Sequence, residues 1–258
     1  MPTRSGAMTQ PANPWLYHFK PNPKASIRLF CFPYAGGTAL GYRTWAQKFP
    51  ASVEVVAIQL PGRANRIQEP PIAKLTDLLE PIAAALAPFL DMPFALFGHS
   101  MGALIAFELA RFFRRQGRAL PWHLFISGRK APQLSSERAP LYNLPKDELL
   151  AELQQLDGTP REVLEHPELM DLMLPTLRSD FSICDTYEYT EEAPLTCPIT
   201  AFGGLQDFDV SRQKIEAWRE QTSATFTLRM FPGNHFFIHS NEMLLLNLLA
   251  TQLGLLQL

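Results

Sequence analysis

Gly98-His99-Ser100-Met101-Gly102 stands directly between an apolar run at residues 94–97 and a helical pattern that begins at Met101, with nothing left over for a loop. A chain passing from strand to helix in that space must turn sharply. Glycines at both ends of the pentapeptide permit the turn and let neighbouring backbone approach closely. The serine is then held at the tip with its hydroxyl exposed, above a helix N-terminus whose partial positive charge favours a developing anion. A GxSxG motif has chemical meaning only in this strand–turn–helix setting, so it constrains the fold as well as the chemistry.

The rest of the chain fits that setting. Short runs rich in β-branched and aromatic residues, at Ile27–Phe32, Val53–Ile58, 124–127, 199–202 and 226–230, predict buried parallel strands. Leu75, Leu78, Leu79, Ile82, Ala83 and Leu86 keep the spacing of one helical face, with Pro81 expected to kink it. A second helix is predicted over residues 101–116. This alternation predicts an α/β fold with a mostly parallel, doubly wound sheet flanked by helices. It breaks after Arg129. Residues 140–192 offer only helical stretches, at Lys146–Leu156, 161–165 and 168–189, and predict an inserted helical lid. Leu149, Leu153, Leu169, Leu172, Met173, Leu177 and Phe181 are expected to form its apolar inner face. With 258 residues, one domain over 14–258 is expected, preceded by a disordered polar segment at 1–13.

Composition excludes several classes of function. Balanced charge, 23 basic against 25 acidic residues, supplies no positive field for nucleic acid. No stretch approaches the roughly 20 apolar residues that span a bilayer. The three cysteines, Cys31, Cys184 and Cys197, lie far apart without CxxC spacing, so neither a disulfide framework nor a zinc site is suggested, and a reducing cytoplasm is the expected location.

Serine needs a base, and with this elbow the partners follow in the order acid, then histidine. After the fifth predicted strand comes Gly203-Gly204-Leu205-Gln206-Asp207-Phe208-Asp209, and after the sixth comes Pro232-Gly233-Asn234-His235. His235 is therefore the expected base. Asp207 is the preferred acid and Asp209 its rival; the other carboxylate would be a solvated loop residue or a helix cap. Met101 and Ala35, the latter in the glycine-rich segment that follows Ile27–Phe32, are the expected backbone donors to an oxyanion. His239 makes an HxxxH pair with His235, which without a third ligand reads as helix spacing rather than a metal site. His99 is expected to pack within the elbow, and His18, His123 and His166 to be ordinary surface or core residues.

Together these segments resemble the type II thioesterases, the stand-alone editing enzymes of nonribosomal peptide and polyketide synthases. The resemblance runs from Leu29 to about His239 and rests on FPYAGG at 32–37, QLPGR at 59–63, FALFGHSMGALIAFELAR at 94–111, FISGRKAP at 125–132, LPTLRSDF at 174–181 and PGNHFFIH at 232–239. It implies an α/β-hydrolase fold and a Ser100/Asp207/His235 triad with oxyanion donors at Ala35 and Met101. It also implies a mobile lid and an acyl thioester carried on the phosphopantetheine of an acyl or peptidyl carrier protein. No cofactor or metal is expected of the enzyme itself, and a monomer is expected. The acid loop reads GGLQDFDV where GGDxDPxV is usual, and Tyr34 replaces the first residue of the usual HAGG; Arg63 and Asp180 match family motifs but receive no chemical role. A medium-chain fatty acyl carrier protein thioesterase, a general esterase and an inactive carrier-protein-binding module are the alternative readings.

Overall fold

A computed structural model of the protein describes residues 13–254 apart from residues 137, 157, 159 and 160, and only the backbone of residue 161. Seven strands form one sheet: β1 Leu16–His18, β2 Ile27–Phe32, β3 Val53–Ile58, β4 Phe94–His99, β5 His123–Ser127, β6 Ile199–Gly204 and β7 Phe226–Phe231. Their order is β1-β3-β2-β4-β5-β6-β7, parallel throughout except for β1, which pairs antiparallel with β3. The helices are α1 Trp45–Lys48, α2 Leu75–Leu86, α3 Met101–Arg115, α4 Lys146–Leu156, α5 Arg161–Leu164, α6 Pro167–Asp185, α7 Arg212–Glu216, α8 Phe237–Ser240 and α9 Glu242–Gln252.

The strands are apolar on both faces because both faces are covered. Phe30, Phe32, Val56, Ile58, Leu96, Leu124 and Ile126 join one buried cluster with residues of α2 and α3. Their neighbours Leu29, Cys31, Val55, Ala57, Ala95, Phe97 and Phe125 join a second with α1 and α9. The period of two that separates the clusters is the pleat of the strand. Leu141, Leu149, Leu153, Met170, Leu174 and Leu177 form a third cluster within the helical segment between β5 and β6.

Several expectations are corrected in detail. β1 was not anticipated, being three residues long, and neither was α9. The helix expected over 168–189 is α6 and stops at Asp185. Leu169 and Leu172 are exposed rather than on its inner face, where Met170 and Leu174 are buried instead. Of the segment 1–13 expected to be disordered, residues 1–12 lie outside the described residues. Asn13 belongs to the fold, its amide donating to the Ala85 carbonyl at 3.1 Å. Ser211, not an aspartate, caps α7. Among the described residues the cysteines are free thiols and no helix is long and apolar enough to cross a membrane.

The elbow glycines are required by contact. A methyl group at Gly98 would collide with the Gly102 carbonyl, and one at Gly102 with the Phe32 carbonyl, whereas one at Gly41 would meet nothing. Backbone cannot yield as a side chain can, so Gly102→Ala is expected to cost at least the ~1–3 kcal/mol of ordinary overpacking. Gly41→Ala should be neutral or slightly stabilising. Urea unfolding of the two variants checks the contrast. His123 gives a second expectation. Its ring stacks on Phe125 with centroids 4.3 Å apart, Nε2 lies 2.8 Å from Thr200 Oγ1, and burial lowers its pKa to about 4. The unfolded chain takes up this proton below about pH 6.5 and the folded one only near pH 4, so stability falls as pH falls through that window, by on the order of 3 kcal/mol. His123→Gln should flatten this part of the stability–pH curve measured by denaturant titration.

Candidate active site

β4 hands the chain to Ser100 at φ +52°, ψ −113°, a region that costs a non-glycine residue on the order of 1–3 kcal/mol. The Ser100 N–H donates to the Ser127 carbonyl at the end of β5 at 2.8 Å, and the Ser100 carbonyl accepts from the Ala103 N–H at 3.1 Å. Ser100 takes the N-cap position of α3, yet its hydroxyl does not cap the helix. Oγ is left for chemistry, beside first-turn N–H groups that have no acceptor within a helix. Met101 provides the first of them.

Strand order places a second loop at the same spot. β2 and β4 are parallel neighbours with Phe32 opposite Gly98, and their crossovers leave in opposite directions, to β3 and to β5. Such a reversal opens a crevice at the C-terminal ends of the strands. Tyr34 and Ala35, which follow β2, line one cavity of about 970 Å³ together with Ser100 and His235.

His235 and Asp207 come from the loops after β7 and β6. The two loops are joined: the Gln206 N–H donates to the Gly233 carbonyl at 2.9 Å, and the Gln206 side chain accepts from the Gly233 N–H. Across this junction His235 Nδ1 lies 2.7 Å from Asp207 Oδ2, with side chains 16% and 2% exposed. Asp207 Oδ1 accepts from the N–H groups of Asp209 and Val210 at 3.1 and 3.0 Å, so the carboxylate is fixed from both sides. Pairing through Nδ1 fixes the tautomer and leaves Nε2 as an acceptor. Asp209 points elsewhere: its side chain is 55% exposed and lies 3.2 Å from Arg138.

The remaining groups are mostly neutral and buried. His99 is fully buried, with Nδ1 2.9 Å from Ser127 Oγ and its ring 5.0 Å from that of His235. Burial holds its pKa well below the usual imidazole value. The Tyr34 hydroxyl is 3.2 Å from His239 Nε2, and both rings pack on Phe236. The sequence signalled no link between Tyr34 and His239, which are 205 positions apart. Arg63 and Asp180, matched above to family motifs without a chemical role, form a buried bidentate ion pair with each other, at 2.6 and 2.7 Å, against the turn that carries Ala35. Among the described residues no group of three or more His, Cys, Asp and Glu side chains converges as a metal site would.

Comparison with known proteins supplies the family. Residues 27–251 match the model of the thioesterase domain family. The gramicidin S biosynthesis protein GrsT of Aneurinibacillus migulanus is 46% identical over 94% of this chain and 95% of its own length. Thioesterase PikA5 of Streptomyces venezuelae is 38% identical over 87% and 80%. The structure of the type II thioesterase BorB from the borrelidin biosynthetic cluster superposes with a TM-score of 0.86 at 36% identity, covering 94% of this chain and 99% of that one. The chain thus belongs to the thioesterase family and is an α/β-hydrolase that acts on thioesters.

Proposed function

We propose that this protein is a type II thioesterase that removes aberrant or stalled acyl groups from the phosphopantetheine arm of carrier proteins in nonribosomal peptide or polyketide synthesis. The observation that carries the catalytic part is the 2.7 Å contact of Asp207 with His235, which lines the same cavity as Ser100. The biosynthetic setting is supported by the relatives, named for gramicidin S and borrelidin pathways.

Ser100 Oγ attacks the thioester carbonyl carbon and passes its proton to His235 Nε2. Asp207 holds the Nδ1 proton and stabilises the imidazolium. The tetrahedral oxyanion accepts from the N–H groups of Ala35 and Met101. Collapse expels the pantetheine thiolate, which takes the proton from His235, and leaves an acyl ester on Ser100. Water then attacks that ester with His235 again as base, releasing the carboxylic acid. Protein groups and water suffice for both halves.

The helical segment between β5 and β6 is the roof of the acyl chamber. Leu153, Leu177 and Phe181 line the cavity from it, and Arg129, Gln133 and Glu188 line it as well. A wall this mixed suits short or polar acyl groups better than a long alkyl chain. The free thiols fit a reducing cytoplasm.

Ser100→Ala and His235→Ala are each expected to lower kcat by at least ~10⁴-fold while the circular dichroism stays native. Asp207→Asn should cost on the order of 10⁴-fold through the wrong tautomer, and Asp209→Asn less than about tenfold. The reverse ranking would move the acid to Asp209. For the substrate, contacts remote from the carbonyl should appear in the rate. The same short acyl group should turn over with kcat/KM roughly tenfold higher or more on carrier protein than on coenzyme A or as a nitrophenyl ester, about 1.4 kcal/mol of remote binding. A preference for oxygen esters would overturn the carrier-protein reading.

A further inference from the structure

We propose that Asp180 is a positioning residue for the oxyanion: its carboxylate fixes the Tyr34–Gly37 turn in the conformation that presents the Ala35 N–H, and joins that turn to the roof. This rests on the proposed role of Ala35. Asp180 is fully buried on α6, where an ionised carboxylate survives only with charged and hydrogen-bonding partners. It has three such contacts. Oδ2 accepts from the Gly36 N–H at 2.7 Å and from Arg63 Nη1 at 2.7 Å, and Oδ1 accepts from Arg63 Nη2 at 2.6 Å. Arg63 Nη1 also donates to the Gly37 carbonyl at 3.2 Å. The ion pair therefore grips the turn by one N–H and one carbonyl.

The turn itself needs holding. Its Gly37 N–H closes on the Tyr34 carbonyl at 2.8 Å, and Gly36, in third position, has φ +74°. That is the signature of a turn whose central peptide is flipped relative to the commoner form, so either orientation is open to a glycine there. The Gly36 N–H belongs to that central peptide. Bonding it to Asp180 selects one flip and so fixes the Ala35 backbone between two anchored planes. Leu177, three residues before Asp180, packs so close that a side-chain carbon at Gly36 would lie 2.8 Å from its Cδ2. A buried ion pair adds little net stability, and its best attested contribution is to fix geometry. Here the fixed geometry belongs to an oxyanion donor. Arg63 also neutralises a negative charge that would otherwise oppose the oxyanion.

The test compares wild type with Asp180→Asn, counting active sites with a fluorophosphonate, whose phosphoryl oxygen occupies the oxyanion position when Ser100 is phosphonylated. Removing an oxyanion donor outright costs about 10²–10³-fold, so a misplaced donor should cost roughly 10- to 100-fold. The expected result is that loss in kcat and in the phosphonylation rate constant alike, with KM within about threefold and every serine eventually labelled. Should Asp180→Asn fail to fold, Arg63→Lys replaces it. The ammonium loses the bidentate fork but leaves the Gly36 contact, and a smaller parallel loss of about 3- to 10-fold is expected. Wild-type kcat per labelled site in the folded variant, with only the melting temperature or labelled fraction reduced, would overturn the proposal and make the pair a structural brace. Because the phosphonate needs neither carrier protein nor thioester, a wild-type enzyme that is labelled normally but ignores carrier thioesters would refute the proposed substrate and leave this comparison intact.

Discussion

Everything at this site depends on three backbones crossing where side chains would ordinarily stand. The Gly98 Cα faces the Gly102 carbonyl, and the Gly102 Cα faces the carbonyl of Phe32 at the end of β2. Only because both positions lack a Cβ can β4 enter α3 without a loop and β2 run close enough to bring its own turn beside the serine. The positive φ of Ser100 follows from the same crowding, and the bond from its N–H to Ser127 ties it to β5 as well. Ser100, the proposed nucleophile, is thus placed by the middle of the sheet, which is the rigidity that pre-organised catalysis requires.

The charge pattern around Ser100 is equally constrained. Three imidazoles, those of His99, His235 and His239, gather there, and among the described residues His235 is the one hydrogen-bonded to a carboxylate. Burial holds His99 well below, and His239 below, the ordinary imidazole pKa. In the proposed mechanism a proton leaving Ser100 therefore meets one ring with an anion behind it and two whose burial opposes the charge. The aromatic packing of Tyr34, Phe236 and His239 gives the cluster its shape without adding another charge.

The sequence revealed most of this frame for identifiable reasons. Strands buried on both faces read as continuous apolar runs, and helices with one buried face read as periodic ones, so β2 to β7 and α2 to α4 were visible. α9 was not, because Met243, Leu244, Leu245, Leu246, Leu248 and Leu249 make its sequence apolar all round and erase the periodicity. Two of these, Met243 and Leu244, are more than half exposed while Leu245 is fully buried. The same limit affected α6, where Leu169 and Leu172 look like core residues and face solvent. Ser100 and His235 were fixed by local context. Asp207 was preferred to Asp209 through the resemblance of its loop, not by position in the fold, since both follow the same strand. What separates them is that Asp207 turns its second oxygen back on its own loop, accepting from residues 209 and 210. Arg63 and Asp180 are 117 positions apart, and no spacing rule joins them.

Pro175 divides α6 between two tasks. Before it, Met170 and Leu174 pack with Leu149 and Leu153 in the third cluster. After it, Leu177 stays in that cluster while other contacts turn toward the body of the molecule. Thr176 Oγ1 donates to the Gly62 carbonyl at 2.5 Å, Asp180 joins Arg63 and Gly36, and Ile183 enters the cluster that holds α2 and α3. Proline removes a helical hydrogen bond, so the interruption falls between a part of the helix that packs in the third cluster and a part that also reaches the body of the molecule. The second part both lines the cavity, through Leu177, Phe181, Cys184 and Asp185, and holds the turn bearing Ala35. The cavity wall and the anchor of the Ala35 turn are thereby carried by one stretch of one helix, the stretch with charged and hydrogen-bonded anchors.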